Sequence, residues 1–155
     1  MIEINRILVP VDFSKFSDNA LGYACAFADQ FGAELHLMHV LQDVVAMMPE
    51  PGLFVPPSGD WLEDLEKSAR DELAKLPEPA MRGRLEVVRE VRQGAPFLEI
   101  IRYAREHKVD LIVLGTHGRS GLAHVLLGSV AEKVVRKSPC PVLSVRHPEH
   151  EFVMA

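Results

Sequence analysis

Asp110-Leu111-Ile112-Val113-Leu114-Gly115 is the stretch on which the fold turns. It is apolar throughout between its bounding Asp and Gly, the pattern of a central parallel strand covered on both faces. A strand of that kind needs parallel neighbours, and parallel neighbours need crossovers long enough to hold a helix. The chain supplies them on both sides.

On the N-terminal side, Gly94-Ala95-Pro96 places a proline in the first turn of a helix, where its missing N–H is harmless. Ile100, Ile101 and Ala104 form the buried face of that helix. Arg84–Val91 predicts a strand before it, with Leu85, Val87 and Val91 inward. Asp60-Trp61-Leu62-Glu63 resembles a capping box opening an earlier helix, anchored by Trp61. Its expected apolar face is Leu62, Leu65, Ala69, Leu73 and Leu76, and Pro77 stops it. Glu34–Leu41 and Arg6–Val11 predict two more strands. Between them, Ala20, Leu21, Ala24, Phe27, Ala28 and Phe31 recur at helical spacing, with Ser14 as N-cap and Gly32 as terminator.

On the C-terminal side, Ser129–Lys137 predicts a last helix with Val130, Val134 and Val135 inward, and Pro141–Val145 a fifth strand. Alternation of this kind in one chain implies an α/β fold with a parallel, doubly wound sheet. Residues 1–148 are expected to form one domain, followed by a short tail, 149–155. The long irregular stretch runs from Gln42 to Gly59 and contains Pro49, Pro51, Pro56 and Pro57. It is expected to be a functional lid or a mobile segment, in which Met47 and Met48 serve ordinary packing.

Composition narrows the function. Of 155 residues, 48% are hydrophobic and 25% charged, a globular balance that can bury roughly two-thirds of the unfolded surface. The net charge of -5, from 17 basic and 22 acidic residues, argues against a broad nucleic-acid surface. Cys25 and Cys140 form no CxxC pair and read as free thiols in a reducing compartment. No apolar run approaches the roughly 20 residues of a membrane span, and the N-terminus lacks a signal-peptide pattern. A cytoplasmic location without membrane contact is the expectation.

Ligands of doubly wound sheets bind beyond the carboxyl ends of strands, where strand order reverses. The segment that follows DLIVLG therefore carries the functional reading. It runs Gly115-Thr116-His117-Gly118-Arg119-Ser120-Gly121 and on to Leu127-Gly128-Ser129. It is neither a Walker A loop nor a GxGxxG fingerprint. Gly115 and Gly118 are expected to adopt positive φ and let the backbone approach an anion. Gly128-Ser129 opens a helix whose N–H groups and dipole favour negative charge. A glycine-rich turn with a capping serine and no ligand is the bland alternative.

Gly115–Ser129 fits the Gly-x2-Gly-x9-Gly-Ser/Thr motif of the universal stress protein (UspA-like) family, which this chain resembles. Ile7–Ser14, His39-Val40 and Ser138–Leu143 agree with that family in the same order. The resemblance implies five parallel strands in the order 3-2-1-4-5, with helices on both faces. In the ATP-binding subclass it places Pro10, Val11 and Asp12 against the nucleotide and Val40 on the adenine. Leu114 and Gly115 would continue that wall; Gly118, Gly128 and Ser129 would hold ribose and phosphates, with the Val130 N–H beside them. It also implies a homodimer through the last strand, which suits an apolar edge strand.

Individual residues keep two readings each. Asp12 is a ligand for Mg²⁺, base or ribose, or it caps the loop into the first helix. His117 approaches phosphate or faces solvent. Arg119 pairs with phosphate, since it stays charged, or is a solvated arginine. Ser14 is a cap, His124 is structural, and His36 and His39 alternate on their strand and so do not form a metal pair. No catalytic base or metal site is evident. Three readings of the whole follow: a regulatory ATP-binding protein with an unidentified protein partner, a slow ATP-hydrolysing enzyme, or a nucleotide-free interaction module.

Overall fold

Ile7, Leu8 and Val9 are all fully buried, because β1 (Arg6–Pro10) runs through the middle of the sheet with neighbours on both sides. The computed structural model describes residues 1–42, 50, 52, 59–117 and 127–147. The other strands are β2 (Glu34–Leu41), β3 (Val87–Gln93), β4 (Leu111–Gly115) and β5 (Val142–Val145). All pairings are parallel and the order is β3-β2-β1-β4-β5. The sheet is therefore the expected doubly wound one.

Five helices are described: α1 (Lys15–Phe31), α2 (Trp61–Ala74), α3 (Pro79–Arg82), α4 (Pro96–Glu106) and α5 (Ser129–Lys137). Side chains alternate across a strand, so the sheet has two cores. Ile7, Val9, Leu35, Leu37 and Val113 pack with α1 and with Leu73 of α2. Leu8, Met38, Ile112 and Leu114 pack with Ile100, Tyr103 and Ala104 of α4 and with Ala131 and Val134 of α5. Helices thus cover both faces, as a parallel sheet requires.

α1 ends as its sequence predicts. The Ser14 side chain accepts a hydrogen bond from Ser17 N, and Gly32 takes the left-handed conformation at φ 65.

Several expectations fail. β3 starts at Val87 rather than Arg84 and runs to Gln93, because Leu85 N closes a turn onto Arg82 O and Gly83 has positive φ. The short α3, with proline in its first turn, precedes that turn and was not foreseen. Asp60 makes no side-chain cap bond. Leu62 and Leu65 are 42% and 41% exposed, so α2 buries Ala69 and Leu73 without its first turns. Val135 is likewise exposed, since α5 turns Ala131 and Val134 inward instead. Asp110 stands outside β4: its carboxylate accepts from Asn5 N and Arg6 N and fastens the start of β1. β1 itself ends at Pro10, one residue early. The expected lid region and the C-terminal tail fall largely outside the described residues.

Candidate functional site

The order of strands reverses between β1 and β4, so the crevice of this fold opens beyond their carboxyl ends. β1 delivers Pro10, Val11 and Asp12 to it. Val11 donates to Met38 O at 2.8 Å, extending the β1–β2 ladder by one bond. Its side chain is buried in the α1-side core. Asp12 Oδ1 accepts from Ser14 N at 2.9 Å, which closes the turn into α1. The loop-capping geometry foreseen for Asp12 is therefore present. Between Asp12 and Ser14, Phe13 holds φ at 62, a left-handed backbone that a residue with a Cβ rarely adopts.

β2 contributes His39 and Val40 on opposite faces. His39 reaches the α1 side, where Nδ1 donates to Val11 O at 2.6 Å and its ring lies 4.6 Å from that of Phe13. Val40 packs on the other side, against the core of α4 and α5. Leu114 and Val130 belong to that same core, with Leu127 beside them. Pro10 shares the face of Leu8 by strand alternation. Pro10, Val40, Leu114 and Val130, separated by up to 120 positions in the chain, thus line one side of the sheet.

The start of α5 is tied to the end of β4. Gly128 N donates to Thr116 O at 2.6 Å, while Thr116 N donates to Val145 O at 3.0 Å. Gly128 occupies the N-cap position and Ser129 opens the helix, so a glycine without a side chain stands where Ser129 was expected to cap. Among the described residues, no side chain caps this helix at Gly128.

Gly115 serves a different purpose from the expected one. It is not among the positive-φ glycines, which are Gly32, Gly83 and Gly94 among the described residues. A Cβ on Gly115 would lie 3.0 Å from the Phe16 carbonyl oxygen and 3.3 Å from His117 O. The first turn of α1 passes directly over the end of β4, and glycine lets it do so. His117 is buried rather than solvent-facing, with Nδ1 3.1 Å from Thr116 Oγ1 and the Phe16 ring 6.3 Å away. Gly118, Arg119 and His124 lie outside the described residues.

Burial, and then the Asp12 and Glu78 charges, hold the Asp18 carboxyl above its ordinary range. His36 plays no part there: it faces α4, with Nδ1 2.6 Å from the Tyr103 hydroxyl. Cys25 and Cys140 are free thiols. A cleft of about 450 Å³ lined by Asn5, Arg6, Glu34, Lys108 and Asp110 lies at the opposite end of the sheet. No described helix is long and apolar enough to cross a membrane.

Sequence reading missed Phe13, Phe16 and His39 as builders of the site. A positive φ at a phenylalanine has no sequence signal, and the Phe16 carbonyl acts through its backbone. His39 carried a usable signal: a polar residue closing a buried strand at its carboxyl end.

The sequence profile of the Universal stress protein family matches residues 3–146. Universal stress protein MJ0531 of Methanocaldococcus jannaschii is 37% identical over 149 residues, covering 94% of this chain and 84% of that protein. Among solved structures, hypothetical protein MJ0577 superposes with a TM-score of 0.80 at 28% identity, over 96% of this chain and 99% of that one. A universal stress protein in complex with cAMP superposes with a TM-score of 0.63 at 28% identity, over 94% and 98%. With the expected strand order and a match along nearly its whole length, this chain belongs to the universal stress protein family.

Proposed function

We propose that this protein binds ATP at the β1–β4 crevice and works in the cytoplasm as a homodimeric regulator or sensor whose state depends on the bound nucleotide. The convergence of Val40, Leu114 and Val130 on one apolar face beside that crevice carries the reading. An adenine ring needs such a wall with few polar groups. The start of α5 at Gly128-Ser129 suits the phosphates, because the N–H groups of a helix's first turn and the helix dipole favour an anion. Gly118, Gly128 and Ser129 would hold ribose and phosphates, with His117 and Arg119 at hand, and Asp12 would hold Mg²⁺. The complex of a relative with cAMP supports an adenine nucleotide as the ligand class.

The dimer reading rests on β5. It is an outer strand of the sheet, and Val142 and Leu143 are half-buried on it. A second copy pairing there would cover an otherwise open edge. Sedimentation of the purified protein checks this, and a monomer at all concentrations removes that part of the reading.

Heating with and without Mg-ATP tests the binding. A ligand present at about 100 times its Kd and specific for the folded state adds about 2.7 kcal/mol, which raises the melting temperature by several degrees. An unchanged melting temperature at millimolar Mg-ATP overturns the proposal. Phosphate release followed over hours, beside Asp12→Ala, then separates a binder from a slow hydrolase.

A further inference from the structure

We infer that His39 is the positioning residue of the proposed nucleotide site, a clamp that holds Asp12 in place by gripping the residues on both sides of it. The inference rests on the nucleotide-binding reading for its functional consequence, and on geometry alone for the clamp.

Asp12 stands at the end of β1, between one residue whose backbone is bonded and another whose backbone is strained. Before it, the Val11 carbonyl accepts from His39 Nδ1 at 2.6 Å. A carbonyl oxygen only accepts, so Nδ1 carries the proton in either charge state of the ring. After it, Phe13 holds φ at 62, and its ring packs on the same imidazole at 4.6 Å and an interplanar angle of 37°. A left-handed phenylalanine persists only where its surroundings over-determine it. Two such determinants are visible: the ring contact with His39, and the closing bond from Ser14 N to Asp12 Oδ1 at 2.9 Å.

His39 can reach across because β2 is registered on β1. Pro10 pairs with Met38, so the next residue of β2 stands beside the turn that leaves β1. Strand alternation then turns His39 toward the turn and Val40 toward the opposite core. Two consecutive residues of one strand thus serve the site from both faces. Val40 supplies wall, and His39 fixes the position of the carboxylate. A substitution at His39 is therefore expected to loosen Asp12 without touching the nucleotide directly.

Two substitutions separate the two halves of the grip. His39→Phe keeps an aromatic ring against Phe13 and removes the donor to Val11. His39→Asn keeps a donor near the place of Nδ1 and removes the ring. Mg-ATP affinity by calorimetry and amide exchange at Phe13 and Ser14 without nucleotide are measured for both, beside the parent. The expected result is about tenfold weaker binding and faster exchange in His39→Phe, with most of the affinity regained in His39→Asn.

Equal affinity for parent and His39→Phe overturns the inference. Equal loss in both variants overturns the assignment of the carbonyl bond as the main determinant. If the parent itself binds no Mg-ATP, the proposed function falls, and the exchange rates still decide the clamp: unchanged exchange in His39→Phe removes it.

Discussion

The Tyr103 hydroxyl donates to His36 Nδ1 at 2.6 Å, inside the buried layer between β2 and α4. Both side chains are buried, and the Tyr103 ring is stacked on His107 at 3.9 Å. Nε2 of His36 lies 3.5 Å from Glu34 Oε2. That nearby carboxylate favours the tautomer with the proton on Nε2, which leaves Nδ1 to accept from tyrosine. Tyr103→Phe leaves Nδ1 buried without a donor and is expected to cost about 1–3 kcal/mol, measured by chemical denaturation.

The same histidine gives stability a pH dependence. Burial lowers its pKa below the ordinary 6.5, Glu34 opposes the shift, and His107 and Arg6 add to it. A lowered value means that the unfolded chain takes up the proton first as pH falls. The contribution is present in full above pH 6.5 and is lost between there and the folded value. The melting temperature of the parent protein should fall as pH drops below 6.5, and it should fall less in His36→Leu. Parallel curves for the two proteins would remove the assignment.

Two glycines should respond in opposite directions to alanine. At Gly115 a Cβ meets Phe16 backbone at 3.0 and 3.2 Å, and neither atom belongs to a flexible side chain. Gly115→Ala is expected to destabilise by about 1–3 kcal/mol as α1 is pushed off β4. At Gly22, inside α1, nothing lies within 4 Å of the added carbon. Gly22→Ala should stabilise by up to about 1 kcal/mol through helix propensity. Denaturation midpoints of both variants check the pair.

The amphipathic face of α2 is narrower than its leucines suggest. Leu73 is fully buried against the α1-side core, whereas Leu62 and Leu65 are exposed. Leu73→Ala should cost about 2–5 kcal/mol, and Leu65→Ala no more than about 0.5 kcal/mol. Comparable losses at the two positions would contradict this packing.

At the start of α1, Ser14 Oγ accepts from Ser17 N, and the buried Ser17 hydroxyl donates to Ser14 O. Ser14→Ala should lower stability by about 1 kcal/mol. Ser14→Asp, which restores an acceptor at the N-cap, should recover most of that loss in the same assay.

Much of this architecture is written in local pattern. DLIVLG reads as a central strand because both of its faces are covered, and the helices between strands leave a parallel sheet as the natural arrangement. The N-cap at Ser14 and the left-handed Gly32 are local chemistry, and both stand as the residues predict. The reversal of strand order between β1 and β4 follows from the same alternation. Val40, Leu114 and Val130 share one face of the sheet, and periodicity alone places none of them together.

Other features depend on what lies across the fold. Leu62, Leu65 and Val135 have the spacing of buried residues, yet burial depends on a neighbour's reach, which spacing does not encode. Gly115 looks like a flexible loop glycine, and only its approach to Phe16, 99 positions earlier in the chain, reveals that it makes room for a helix. His39 and Phe13 acquire their relation from the register of β2 on β1, a long-range pairing that neither residue specifies alone. By itself the sequence determined most of the elements and the parallel sheet they form, because propensity and periodicity are short-range. Tertiary structure decided which side chains meet at the carboxyl ends of the strands, because their contacts are made between strands that the chain joins through whole helices.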